Sequence, residues 1–251
     1  MTQARIAQAA ALLAAARRDG SRLAALPADA VPQSVTEAHA MQDETARLLG
    51  LAVAGWKVNA PPGGEVTRGH MLAGLIHASP ARVPAAGVPQ CGIEGEVAFR
   101  IERALPPREA AYSAEDVAAA VVALPAIEIV DSRYADPDRM GAMEKLADSI
   151  SNGGFVPGAP VANWRTLDLT RLGVVQSVNG AVSFSGAGTH PIGDPFAPLL
   201  ALANLLRASC GLAVGQYVTT GSCTGVQYLR PGDRCGVSFT GLGDVSLAFM
   251  A

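Results

Sequence analysis

Ile93-Glu94-Gly95-Glu96-Val97-Ala98-Phe99 and, further on, Ala126-Ile127-Glu128-Ile129-Val130 are the stretches on which the reading of this chain turns. Both have the β-branched and aromatic makeup of strands, and both carry carboxylates among apolar residues. In the first, side chains two apart share a face, so Glu94 and Glu96 stand about 7 Å apart on one side of a strand. Like charges so held repel unless something compensates, although on a solvated edge strand water would suffice. In the second, a single carboxylate interrupts an apolar strand, and a buried carboxylate needs a partner. Two partners are open. Arg133, just beyond the strand, could pair with Glu128. Alternatively, Glu128 converges on Glu94 and Glu96 as an all-oxygen cluster, a donor set suited to Mg2+ or Mn2+ and poorly suited to zinc or copper.

Working outward, further short runs read as strands: Val53–Val58, Val97–Ile101, Val174–Val178, Tyr217–Thr220, Val237–Thr240 and Val245–Phe249. Gly, Pro, Asp and Asn punctuate them. The first fifty residues read differently. A helix runs from Thr2 to Arg18, apolar at Ile6, Ala9, Ala10, Leu13 and Ala16, and stops at Gly20. A second opens on the capping pattern Ser34-Val35-Thr36-Glu37 and closes at Gly50. Two more helices are expected, one from Ser113 to about Ala123 and one from Asp194-Pro195 to about Ser209. Many strands, few helices and no regular βα alternation predict an α+β fold with a β-rich mixed sheet. The expected organisation is a helical N-terminal lobe over residues 1–75 and a β-rich catalytic domain over 76–251.

The chain's 251 residues, about half of them apolar, suffice for a sizeable core. A net charge of −3, with Lys and Arg scattered singly and few aromatics, argues against nucleic acid as a partner. The alanine-rich run Ala9–Ala16 is too short for a membrane span and lacks the order of a signal peptide. Cys91, Cys210, Cys223 and Cys235 form neither a CxxC pair nor a Cys/His cluster, so structural zinc and a disulfide framework are not expected and a reducing cytoplasm fits. The four histidines, His39, His70, His77 and His190, show no metal spacing.

Two further motifs bear chemistry. Gly55-Trp56-Lys57-Val58 sets a lysine inside an apolar strand, where it could act as acid or base or simply snorkel or pair. Gly221-Ser222-Cys223-Thr224-Gly225 offers N–H groups and hydroxyls fit for a carboxylate, or is an ordinary loop. It lacks the lysine of a P-loop, and Ser222 lacks the G-x-S-x-G setting of a hydrolase nucleophile.

Taken in order, these pieces resemble the 2-keto-4-pentenoate hydratase and 2-oxo-3-hexenedioate decarboxylase group of the fumarylacetoacetate hydrolase superfamily. The resemblance rests on Gly55-Trp56-Lys57, the ExE stretch, Pro125-Ala126-Ile127-Glu128-Ile129-Val130-Asp131-Ser132-Arg133 and Ala147-Asp148-Ser149. Asn179-Gly180, the Asp194-Pro195 helix with Leu202-Ala203-Asn204, Gly221-Ser222, Pro231-Gly232-Asp233 and Gly241-Leu242-Gly243 extend it over nearly the whole chain. It implies a partly barrel-like roll of the fumarylacetoacetate hydrolase type, Mg2+ or Mn2+ on Glu94, Glu96 and Glu128, Lys57 in the pocket, and a homo-oligomer. The implied substrate is a small 2-oxo acid, bound with help from Gly221, Ser222, Thr224 and Arg133.

One departure stands out. Where hydratases carry an Asp after the lysine, this chain has Arg68-Gly69-His70-Met71-Leu72-Ala73-Gly74, and His70, whose ordinary pKa suits proton transfer, is the candidate replacement. The leading expectation is a hydratase of a 2-hydroxy-2,4-dienoate in aromatic-compound degradation. The alternatives are a 2-oxo-3-hexenedioate (4-oxalocrotonate) decarboxylase with Arg68 or Arg133 on the distal carboxylate, a C–C bond hydrolase of an acylpyruvate-like substrate, and a non-catalytic partner subunit.

Overall fold

The computed structural model describes residues 1–251. Helices α1 (Gln3–Asp19) and α2 (Val35–Leu49) pack against each other, each closed by a left-handed glycine, Gly20 and Gly50. The Ser34 side chain caps α2 by accepting from the Glu37 N–H. Strands β1 (Val53–Asn59) and β2 (Thr67–Leu72) follow, then β3 (Ala81–Pro84), β4 (Gly92–Ile101), helix α3 (Ala114–Ala118) and β5 (Val121–Val130). Helix α4 (Ala142–Ala147) precedes β6 (Asn152–Pro157), β7 (Gly173–Val178), β8 (Ala181–Ala187) and α5 (Phe196–Leu206). Strands β9 (Tyr217–Ser222), β10 (Gln227–Tyr228), β11 (Arg234–Phe239) and β12 (Gly243–Met250) complete the chain.

The strands form two sheets. One runs β2-β1-β9-β4-β5-β6 with β10 on β4, and the other runs β3-β12-β11-β7-β8. Alternation in β4 and β5 explains how they stack. Val97, Phe99, Ile127 and Ile129 turn to one face and meet Val237, Phe239, Val245, Leu247 and Phe249 of the second sheet, with Leu199, Leu202 and Leu206 of α5, in the main core. The opposite face of the same strands carries Ala98, Leu124, Ala126 and the three glutamates, beside a small cluster with Met71 and Phe155. Ile6, Leu13 and Met41 of the helical part bury themselves with Tyr134 and Leu146 in a separate core.

This is the α+β, mixed-sheet architecture expected, with three differences in detail. The helix at Ser113 ends at Ala118, because β-branched Val121 and Val122 pair with Ile101 and Arg100 of β4. Helix α5 starts at Phe196, with the Asp194 carboxylate accepting from the Phe196 N–H at 2.9 Å. The expected lobe of residues 1–75 includes β1 and β2, which belong to the first sheet, so the purely helical part ends at Gly50.

Candidate metal centre

The register of β4 on β5 sets Glu94 directly opposite Glu128. Like charges in that position are destabilising on their own. Glu96, two residues along β4, shares their face, and carboxylate oxygens of all three lie within 4.8 Å of one another. Glu96 and Glu128 are 1% and 0% exposed, so water does not screen them; the solvated-edge reading of the ExE pair does not hold.

A backbone device fixes Glu96. Between the pairs Ala98↔Thr219 and Glu96↔Ser222, β9 has one residue more than β4, a β-bulge. The bulge turns two successive N–H groups, those of Thr220 and Gly221, onto Glu96 Oε2, each at 3.0 Å. Gly221 adopts φ +126°, and a Cβ there would lie 3.2 Å from Pro191 and 3.3 Å from His190.

Glu128 pairs with Lys57, not Arg133. Lys57 Nζ lies 2.7 Å from Glu128 Oε1, and Asn152 Nδ2 donates to the same oxygen at 3.1 Å. Lys57 also donates to the Ile150 carbonyl at 2.9 Å. That carbonyl is presented by an unusual turn: Ser149, Ile150 and Ser151 all have positive φ, 56°, 54° and 56°. Left-handed backbone costs an L-residue roughly 1–2 kcal/mol each, and for β-branched Ile150 it is a clear outlier. Strain of this kind collects at functional sites.

The charges do not balance. One ammonium faces three carboxylates, two of them buried, leaving two negative charges uncompensated. Burial first, then Glu128 and Glu94, push the Glu96 carboxyl well above its ordinary range. Burial also raises Glu128, its lysine partner notwithstanding. Burial opposes the charge on Lys57, but Glu128, Glu94 and Glu96 outweigh it and hold the ammonium above its usual pKa. The second oxygen of Glu128, Oε2, is buried without any hydrogen-bond partner. Two missing positive charges, an orphaned carboxylate oxygen and hard oxygen donors fit a divalent cation such as Mg2+.

A cavity of about 330 Å3 opens on this cluster, lined by Lys57, Glu94 and Glu96, by Ile150, and by Thr219, Thr220, Gly221 and Ser222. Val58, Asn59, Ala60, Pro61, Pro191, Ile192 and Pro198 form the rest of its wall. Lys57 is its sole cationic side chain. Of the candidates from sequence, the structure brings together Lys57, the three glutamates, Gly221 and Ser222. The Gly221 N–H is already spent on Glu96, whereas Ser222 Oγ is buried and unpartnered.

Four candidates sit elsewhere. His70 pairs with Trp56 across β1–β2, one residue out of phase with Lys57↔Gly69, and so faces the other side of the sheet. There its Nε2 lies 2.7 Å from Arg68 and 3.1 Å from Asp43, and burial keeps its pKa low. Arg133 is locked on Asp148 at 2.6 Å. Thr224 Oγ1 accepts from the Gly95 N–H and donates to the Gly225 carbonyl. Arg68, the other candidate for a distal carboxylate, donates from Nη2 to both carboxylate oxygens of Asp43. Asn152, Ile150 and the Thr220 N–H, which the structure adds to the site, carry no local sequence pattern that marks them.

A family model described as fumarylacetoacetate (FAA) hydrolase C-terminal matches residues 61–248. The chain is 34% identical to a 4-oxalocrotonate decarboxylase of Pseudomonas putida, over 67% of this chain and 66% of that protein. It is 31% identical to 2-keto-4-pentenoate hydratase 1 of Dechloromonas aromatica (strain RCB), over 96% of this chain and 95% of the relative. Among solved structures, 4-oxalocrotonate decarboxylase from Pseudomonas putida G7, complexed with calcium and acetate, superposes with a TM-score of 0.85 at 26% identity. That superposition covers 100% of this chain and 99% of the other. No helix here is long and apolar enough to cross a membrane.

Proposed function

The chain belongs to the fumarylacetoacetate hydrolase family, and from that premise we propose that it is a hydratase of a 2-hydroxy-2,4-dienoate, dependent on Mg2+ or Mn2+ held by Glu94, Glu96 and Glu128. The observation that carries the choice of substrate is the cavity wall. Apart from Glu94 and Glu96, which the cation would occupy, it offers one cation, Lys57, and otherwise neutral polar or apolar groups. A substrate with one carboxylate and an uncharged tail suits it. An enedioate, such as the 2-oxo-3-hexenedioate of a decarboxylase, would bring a second carboxylate into a wall whose single cation is Lys57. Arg68 and Arg133 do not reach it, each being paired outside the cavity. No histidine lines the cavity to activate water for C–C bond hydrolysis.

When bound, the cation supplies Lewis-acid stabilisation of charge on the substrate's 2-oxygen. The protein's residues then do the following. Lys57, with two of its three N–H bonds committed to Glu128 and Ile150, keeps one for the substrate. It moves the proton that leaves the 2-hydroxyl and arrives at carbon 5 as the dienol becomes the conjugated ketone. Water then adds its oxygen to carbon 4 and its proton to carbon 3, giving a 4-hydroxy-2-oxo acid. Ser222 Oγ is the free donor for the substrate carboxylate. The prolines and Ile192 exclude bulk water from the reacting carbons.

A homo-oligomer and a reducing cytoplasmic setting are part of this reading. Exposed Val175 and Val182 on the β7–β8 hairpin support the first, and four unpaired cysteines the second. The deciding experiment is product analysis by NMR with Mg2+ and two substrates, 2-hydroxypenta-2,4-dienoate and 2-oxo-3-hexenedioate. Formation of 4-hydroxy-2-oxopentanoate from the first is expected. Carbon dioxide from the second, without hydration of the first, would overturn the substrate assignment in favour of decarboxylation.

A further inference from the structure

The left-handed turn that offers Ile150 to Lys57 is held by few bonds of its own. Its ends are Asp148 and Asn152. The Ser151 N–H closes it on the Asp148 carbonyl at 3.1 Å, the Asp131 N–H donates to the Ser151 carbonyl at 2.9 Å, and the residues just after β5 hold one flank, where Asp148 accepts from the Ser132 hydroxyl and from Arg133. None of those side-chain bonds reaches Asn152. One side chain is bonded to both ends, and it comes from far away in sequence. Arg17, in the last turn of α1, donates through Nη1 to the Asn152 carbonyl at 3.2 Å. Through Nη2 it donates to the Asp148 carbonyl and to Asp148 Oδ1, each at 3.4 Å. Its side chain is 7% exposed and that of Asp148 is 0% exposed, so water does not replace these bonds.

We infer that Arg17 is a positioning residue for Lys57, a staple from the N-terminal helix that keeps residues 148–152 in the shape that serves the site. The shape has two outputs on either side of the cluster. The Ile150 carbonyl fixes the lysine, and the Asn152 amide fixes Glu128 Oε1. Three consecutive left-handed residues relax readily toward ordinary backbone when one end is released. Relaxation would swing the Ile150 carbonyl off Lys57 and the Asn152 amide off Glu128. The planar fork of the guanidinium is what spans the two ends; an ammonium is a single point and bonds one end at a time. Arg17 touches no substrate, and it gives α1 a role in the site as well as in the helical core.

The inference rests on the proposal that Lys57 acts in turnover, so the experiment separates the two. Arg17→Met, Arg17→Lys and Lys57→Met are compared with the wild type in steady-state kinetics and in hydrogen exchange followed by mass spectrometry. The expected result for Arg17→Met is a kcat lower by about 10- to 100-fold, the usual effect of removing a group that orients a ligand or catalytic residue. KM should stay within about threefold. Exchange should quicken over 148–154 while α1 and α2 stay as protected as in the wild type. Arg17→Lys should recover part of the lost kcat. If Arg17→Met does not fold, Arg17→Lys carries the same readouts, with a smaller loss of kcat and faster exchange confined to the turn. A kcat near the wild-type value, or exchange that quickens throughout α1 and α2, would overturn the positioning role. Turnover that survives Lys57→Met would instead remove the lysine from the mechanism, whatever Arg17 does.

Discussion

Replacing Glu96 by glutamine should make the metal-free protein more stable and the metal-loaded protein less so. The magnitude follows from the geometry. Carboxylate oxygens within 4.8 Å of each other repel by about 3 kcal/mol per pair at an effective dielectric constant near 20. Glu96 faces two such neighbours, and Lys57 offsets roughly one of them. Burial adds to the penalty and is the largest cause of its raised pKa. Glutamine keeps the acceptor for the Thr220 and Gly221 N–H groups and removes the charge. A gain of roughly 1–2 kcal/mol, or about 3–8 °C in Tm for a chain this long, is therefore expected in EDTA at pH 8. In metal at a hundred times its Kd the wild type gains about 2.7 kcal/mol, and the variant gains nothing.

The pH dependence has a definite sign. A carboxyl whose folded pKa is raised binds more protons folded than unfolded, so metal-free stability falls as pH rises from the ordinary value near 4.5 through the raised one. Glu96→Gln should flatten that fall. Thermal unfolding from pH 5 to 8, with and without metal, reads all of this. A variant that is destabilised in EDTA, or that gains as much from metal as the wild type, would refute the reasoning.

Three further outcomes follow from the same geometry. With burial raising Glu96 well above its ordinary range and Glu128 to about 7, metal binding displaces protons, and metal affinity should fall as pH drops, by roughly tenfold per unit for each proton displaced. Calorimetric titration in buffers of different ionisation heat checks it, and a pH-independent Kd between 5.5 and 8 would contradict it. Lys57→Met should bind metal within a few-fold of the wild type but lose about 10²- to 10⁴-fold in turnover; stopped-flow or steady-state rates decide. Gly221→Ala should cost both metal affinity and about 1–3 kcal/mol of stability, because a Cβ at φ +126° crowds Pro191 and His190 and spoils the bulge. Wild-type affinity in that variant would show that the bulge does not orient Glu96.

The carboxylates were legible in the sequence because a charge in an apolar strand violates a local rule. Lys57 was legible for the same reason. What joins them was not: the register that sets Glu94 against Glu128 is a pairing between strands thirty residues apart in the chain. His70 shows the cost of missing register. It reads as a neighbour of Lys57 in sequence, yet one step of pleat sends it to the opposite face, onto Asp43 and Arg68. Arg133 was misplaced because Asp148, its actual partner, arrives from a later turn. Strands β2, β3, β6 and β8 escaped because Gly, Ser and Arg dilute their β character, and sheet neighbours supply what propensity lacks. The left-handed turn at 149–151 escaped entirely, since Ser-Ile-Ser contains none of the glycine that ordinarily marks such backbone.

The assignment of the cluster to a metal is tested most directly by a crystal of the protein grown with Mn2+ and oxalate, the latter as a small stand-in for a 2-oxo acid. A cation held by the cluster should give one anomalous peak about 2.1 Å from oxygens of Glu94, Glu96 and Glu128, as a hard six-coordinate cation requires. Oxalate should complete its shell beside Lys57 and Ser222. A peak elsewhere, or none with the cluster intact and Lys57 still paired to Glu128, would contradict the assignment of this site to a metal.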